Sequence, residues 1–218
     1  MDRPRPDRGH PLRRRTGVRS NRSRGAVAAA AVLVLLVLTG CASPSAPAAQ
    51  GATGRAGGFT SSDGRIKEIG PAQRGRPITF TGVLEDGKTV TSAPYRGKVL
   101  VLNTWYAACP PCRAEARDLQ AVYQRFRSEG VDFLGVNLRD EAPTARAFEK
   151  EFDVTYPTTL DAGPGTMQLA LTGQAAPNAV PTTLVLDRKG RVAARLLGRI
   201  PSRSTLASLI QTVLAEPR

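Results

Sequence analysis

From about residue 77 onward, apolar positions switch repeatedly between the period of a strand and that of a helix. Residues 78–83 alternate in the manner of a strand, Asp86-Gly87 supplies a hairpin turn, and residues 89–91 supply the return. Residues 99–105 form a short, apolar, largely β-branched run that predicts a strand buried on both faces. Leu119, Val122, Tyr123 and Phe126 then repeat at helical spacing, with Gly130 as the stop. Residues 131–136 predict the next strand. A second helix is expected over 143–152, with Ala145, Phe148 and Phe152 on one side, and a short one over 166–171. Residues 182–186 and 191–197 read as a hairpin across Asp187-Arg188-Lys189-Gly190. Leu206, Leu209, Ile210, Val213 and Leu214 mark a closing amphipathic helix behind a Ser202 or Ser204 cap. Strand, helix, strand, helix, hairpin and helix in that order make an α/β domain, a mixed sheet with helices on both faces and parallel strands at its first crossover.

Residues 1–74 show no such pattern and divide into two parts. Nine arginines and two aspartates in the first 25 positions precede an uncharged apolar run over 26–38, the layout of an export signal. That run is shorter than the roughly 20 residues of a confident membrane span. Leu38-Thr39-Gly40-Cys41 resembles a bacterial lipobox, which makes residues 1–40 a lipoprotein signal peptide and Cys41 the lipidated new N-terminus. The alternative is an ordinary small-residue cleavage site beside an incidental cysteine. Residues 41–74, rich at first in Ala, Gly, Ser, Pro and Thr, read as a flexible tether, leaving 75–218 as the domain.

Charge and histidine then narrow the function. The formal charge is +13, of which residues 1–25 supply +7, leaving +6 spread over the remainder. No basic helix or aromatic-interleaved cluster points to nucleic acid. The single histidine, His10, lies in the segment expected to be removed. Without it the mature chain has no Ser-His or Cys-His pair, no histidine metal ligand and no C-x-x-C-H haem site.

What chemistry remains lies in Cys109-Pro110-Pro111-Cys112, at the junction of the central strand and the first long helix. Residues three apart on a helix share a face, so the two sulfurs can close a small disulfide ring. Unpaired N–H groups and the helix dipole favour a thiolate at Cys109, and a lowered thiol pKa makes a nucleophile. Two other readings stand beside dithiol–disulfide chemistry. Half a zinc site needs a second ligand pair, which the sequence lacks, and a structural disulfide across so short a loop adds little stability.

The run from Arg96-Gly97-Lys98 through Trp105 into Cys109-Pro110-Pro111-Cys112-Arg113-Ala114-Glu115 resembles the TlpA/ResA-like extracytoplasmic thioredoxin-fold thiol–disulfide oxidoreductases. So do Gly135-Val136-Asn137 and the run from Val180-Pro181-Thr182 to Gly190, and together these span residues 77–216. The resemblance implies a thioredoxin-like fold: a mixed central sheet flanked by helices, with an added N-terminal β-hairpin. It implies that Cys109 is the exposed attacking thiol and Cys112 the buried resolving one. Glu115 would manage proton transfer, the alternative being a surface glutamate favoured by the helix dipole. Pro181 matches a cis-proline facing the disulfide that bares the Val180 backbone to an incoming peptide, the alternative being an ordinary trans proline. Trp105, at the front edge of the motif, shields the disulfide or packs.

The resemblance further implies protein disulfides as substrates, apocytochrome c among them, and a CcdA/DsbD-like membrane protein as electron donor. It brings no cofactor and no metal, and a monomer is expected. Three departures stand out. Ala108 replaces the tryptophan common before the first cysteine, Asn103 replaces a buried aspartate, and residues 174–178 make a bulkier approach to Val180 than a short Gly turn. The rivals are a disulfide-forming oxidase, a peroxidase and a non-enzymatic binding module. Tyr106 stands where a peroxidase needs Thr or Ser, and a copper carrier of this fold would add a histidine.

Overall fold

The computed structural model describes residues 58–175 and 179–217. Its centre is strand β5 (Val99–Trp105), all seven residues of which are buried. β5 pairs in parallel with β6 (Val131–Asn137) on one side and antiparallel with β8 (Thr182–Leu186) on the other. Side chains alternate across a strand, and here both faces are apolar. Val99 and Val101 pack with Leu119, Val122, Phe126, Leu206 and Ile210, the inner stripes of α1 (Pro110–Phe126) and α4 (Arg203–Leu214). Leu100 and Leu102 face the opposite way and pack with Ile78, Phe80, Met167 and Leu171.

The full sheet adds β1 (Phe59–Thr60), β2 (Ile66–Glu68), β7 (Thr158–Leu160) and β9 (Val192–Leu197), in the order β1-β2-β9-β8-β5-β6-β7. β3 (Thr81–Val83) and β4 (Thr89–Thr91) form a separate hairpin over the Leu100–Leu102 face, beside α3 (Thr166–Ala170). α2 (Ala142–Phe152) lies next to α1 near the disulfide. Thus the thioredoxin-like fold with an added hairpin is the observed architecture. Gly130 takes a left-handed conformation (φ 80°) after a 3-10 turn over Arg127–Glu129, and Ser202 caps α4 by accepting from the Thr205 N–H at 3.1 Å.

Three expectations need correction. The span expected as tether, 41–74, already contains β1 and β2, which add to the sheet edge through β9. Strands of two and three residues with few apolar positions leave no periodic trace, and β2 joins the sheet through a partner more than 120 positions away. Residues 78–80 are not strand, although Ile78 and Phe80 are buried. The Ile78 N–H instead bonds the Gly190 carbonyl at 2.8 Å. β7 was not expected; it has only three residues and follows Pro157.

Arg74, unremarkable in the sequence, locks this start in place. Its side chain is 3 % exposed and pairs with Asp187 and Glu216, joining the segment after β2 to the β8–β9 turn and the C-terminus. Replacing Arg74 by Met leaves Glu216 without its cation beside Asp187, which keeps only Arg191. A loss of about 3–5 kcal/mol in urea unfolding is expected.

Candidate functional site

Cys109 is the N-cap of α1, and Cys109 and Cys112 form a disulfide. Pro110 and Pro111 occupy the first helical positions, where a missing N–H costs nothing. The Cys112 N–H, one of the orphan donors of the helix start, points at the Cys109 sulfur at 3.3 Å. That donor and the dipole behind it stabilise negative charge on Cys109 when the bond opens. Cys112, one turn into the helix, has no such donor described. The two sulfurs are chemically unequal.

Both cysteines are 2 % exposed. Cys112 is buried as expected, but Cys109 is covered too, which corrects the expectation of an exposed sulfur. Both cysteines belong to one apolar cluster with Trp105, Ala116, Ala145 and Phe148, and Tyr106, Ala107 and Val180 pack at its margin. Trp105 is likewise corrected as a substrate contact. It is 4 % exposed and stacks on Phe148 at 4.3 Å between centroids, supporting the disulfide from within. The loop ahead of Cys109 is held by Asp140, whose carboxylate accepts from the Ala107 N–H at 2.6 Å and the Asn137 side chain at 2.8 Å. Asp140 was not singled out from sequence; Asn-x-x-Asp after a strand is a turn signal that marks it.

Glu115 has no exposed surface at all. One carboxylate oxygen accepts from the Asn103 side chain at 2.9 Å, the other from the Ile200 N–H at 2.7 Å. Burial nevertheless dominates, lifting its pKa from 4.5 to about 7. The surface-glutamate alternative is therefore excluded. Asn103 also donates to the Thr183 hydroxyl at 3.0 Å, so β5, β8, α1 and the turn before α4 meet at this carboxyl group. Three residues separate Glu115 from Cys112, which places both on one face of α1. A cavity of about 10 Å³ touches Cys112 and Asn103 along with Trp105 and Tyr156, close to the space one water occupies. Burial, with Glu115 contributing, also pushes the Tyr156 phenol up, leaving Glu115 as the group of this cluster that changes charge near neutrality.

The Val180–Pro181 bond is cis. Val180 packs against the cluster that contains both cysteines, so the loop faces the disulfide. Thr104 and Thr182 hold it: Thr104 accepts from the Thr182 N–H at 2.9 Å, and the Thr182 hydroxyl donates to the Ala179 carbonyl at 2.8 Å. Among the described residues the Val180 N–H and C=O take no hydrogen-bond partner, and both remain available to an extended peptide. Residues 176–178 of the approach to this loop, and Cys41, lie outside the described residues. Also among these residues, no three His, Cys, Asp or Glu side chains gather as a metal set.

Comparison with known proteins gives the same picture. The Redoxin family profile matches residues 70–210. The thiol–disulfide oxidoreductase ResA of Bacillus cereus is 24% identical over 142 residues, covering 65% of this chain and 79% of that protein. The thiol:disulfide interchange protein DsbE of Pseudomonas aeruginosa is 28% identical over 156 residues, covering 69% and 82%. The crystal structure of a DsbF homologue from Corynebacterium diphtheriae superposes with a TM-score of 0.63 at 29% identity, over 73% of this chain and 99% of that one.

Proposed function

The chain belongs to the Redoxin family and is a thiol–disulfide oxidoreductase of the ResA/DsbE type; from that premise we propose that it reduces protein disulfides on the outer face of the cytoplasmic membrane, anchored there by a lipid on Cys41. The observation that carries the exchange mechanism is Glu115, a buried carboxyl group poised near neutrality on the Cys112 side of the site.

In the dithiol form Cys109 holds the thiolate and Cys112 the proton. Cys109 attacks a substrate disulfide, forming a mixed disulfide and releasing one substrate thiolate. Cys112 then passes its proton to Glu115 and attacks the Cys109 sulfur. This closes the Cys109–Cys112 disulfide, releases the second substrate thiolate and transfers two electrons to the substrate. Two neighbouring negative charges in an apolar core are costly, so Cys112 deprotonates only as Glu115 takes up its proton. The Val180 backbone holds the substrate strand in line. An extracytoplasmic compartment oxidises thiols, and a CcdA/DsbD-like membrane protein is the proposed source of the returning electrons.

Residues 1–40 serve as the signal peptide and 41–57 as the tether. Apocytochrome c, whose haem-binding cysteines must be reduced, is the proposed substrate. Acid quenching of cells followed by thiol alkylation tests the direction. A reductase is expected largely as dithiol at steady state, and Cys112→Ala is expected to capture exported two-cysteine proteins as mixed disulfides. A pair found fully oxidised, with no such capture, would assign the oxidase role instead.

A further inference from the structure

The end of the domain opposite the disulfide carries a different charge balance. β5 runs from Val99 at that end to Trp105 beside the disulfide, about 20 Å away at 3.3 Å per residue. The β8–β9 turn, the corner before β5 and the end of α4 all lie at the Val99 end, because Gly97 N–H bonds Arg188 C=O and Arg188 caps α4. Its guanidinium donates to the carbonyls of Val213, Leu214 and Glu216.

Near the disulfide, cations are largely self-neutralised: Arg113 pairs with Glu151, Arg117 with Asp153 and Arg203 with Asp118. At the far end the carboxylates are already taken, except Glu68 of β2, which has no ion-pair partner among the described residues. Asp187 holds Arg74 and Arg191, Glu216 holds Arg74, and Asp132 holds Lys98. Arg127 and Glu129 at the α1–β6 corner add one charge of each sign. Arg76, Arg96, Arg188 and Lys189 remain, none with a carboxylate partner among the described residues. Arg76, Arg96 and Lys189 are exposed, and the Arg96 guanidinium lies against Gly190. Arg188, Lys189 and Arg191 line a cleft of about 390 Å³ together with Asp187 and Glu216, the two carboxylates that already hold Arg74.

The register places the start of the domain at this same end. Phe59 pairs with Glu68 and Glu68 with Ala194, toward the β8–β9 turn, whereas Ile66 pairs with Leu196, toward the disulfide. Gly58 therefore enters beside the basic end. Under the anchoring proposed above, only the 16 residues 42–57 separate Cys41 from this end.

We propose that the basic end formed by Arg76, Arg96, Arg188 and Lys189 docks on anionic lipid headgroups, holding the domain with its disulfide turned away from the membrane. The argument is charge complementarity joined to the point where the chain enters. Surface potential decays within about 8 Å at physiological salt, so a tethered domain feels it only through its near end. The proposal rests on the anchoring reading above, and its test separates the two.

The full chain is isolated from its host's membranes and placed in vesicles of phosphatidylglycerol or of phosphatidylcholine alone, and amide hydrogen exchange is followed over residues 93–98 and 187–191. Slower exchange is expected in phosphatidylglycerol only, and lost at about 0.5 M salt. Lys189→Gln and Arg76→Gln should each lower that protection about fivefold, the equivalent of one surface cation, and leave insulin reduction unchanged. Equal exchange in both lipids, or protection indifferent to the two substitutions, overturns the proposal. If the chain is recovered soluble, anchoring fails but docking does not: the vesicles are then added from outside and the same comparison read.

Discussion

With serine at position 109, turnover of a disulfide substrate is expected to fall to the uncatalysed rate, while the folded domain persists. A hydroxyl is not a nucleophile at neutral pH, and Cys112 lies one turn into α1 without the N–H donor that serves Cys109. Losing the disulfide removes a very short covalent loop, roughly 2 kcal/mol by chain entropy, and leaves the two larger apolar clusters untouched. Cys112→Ala should differ in kind: the first attack proceeds, resolution does not, and mixed disulfide accumulates. Gel shift under non-reducing conditions, with circular dichroism as the control for folding, distinguishes the two variants. Equal activity in Cys109→Ser and the wild type would contradict the assignment of the nucleophile.

Glu115→Gln should slow resolution by about 10²-fold or more, the usual contribution of a positioned base, while leaving the first attack nearly unaffected. Its effect on stability has a definite sign. Because the folded pKa is raised from 4.5 to about 7, the wild type loses stability as pH rises through that window. The loss attributable to Glu115 is about 3 kcal/mol, all of it present by pH 8 or so. Glutamine carries no charge and removes that slope. It also keeps the hydrogen bonds: its oxygen can take the Ile200 N–H, and a turned Asn103 amide can accept its NH₂. A residual slope of the same sign should remain from Glu149, whose carboxyl group is also raised by burial next to Glu85. Urea unfolding of both proteins from pH 4.5 to 8.5 measures this. An unchanged slope in Glu115→Gln would place the pH dependence elsewhere.

The parts of this molecule that were legible in the sequence share a physical property: they bury a long apolar stripe. β5, α1, β6 and α4 each carry a periodic run, and the strand-to-helix junction at Cys109 follows from two of them meeting. Glu115 was legible as a candidate because it lies one turn past Cys112, but its burial was not. That depends on Asn103, twelve positions earlier, and on Ile200, 85 positions later. The same holds for Arg74, where a buried cation reads like any surface arginine until Asp187 and Glu216 surround it. The burial of Cys109 is illegible in the sequence for a related reason. Ala145 and Phe148 read as one side of a helix, yet nothing in the periodicity says that this side closes over the disulfide. β1 and β2 hide because their stability is borrowed from β9 rather than from any pattern of their own.

The account depends on the two sulfurs being unequal, and alkylation of the reduced protein across pH measures that directly. Iodoacetamide should modify Cys109 first, with a midpoint below the roughly 8.5 of a free cysteine, and Cys112 far more slowly. Equal rates at both positions, or a Cys109 midpoint at or above that of a free thiol, would contradict it.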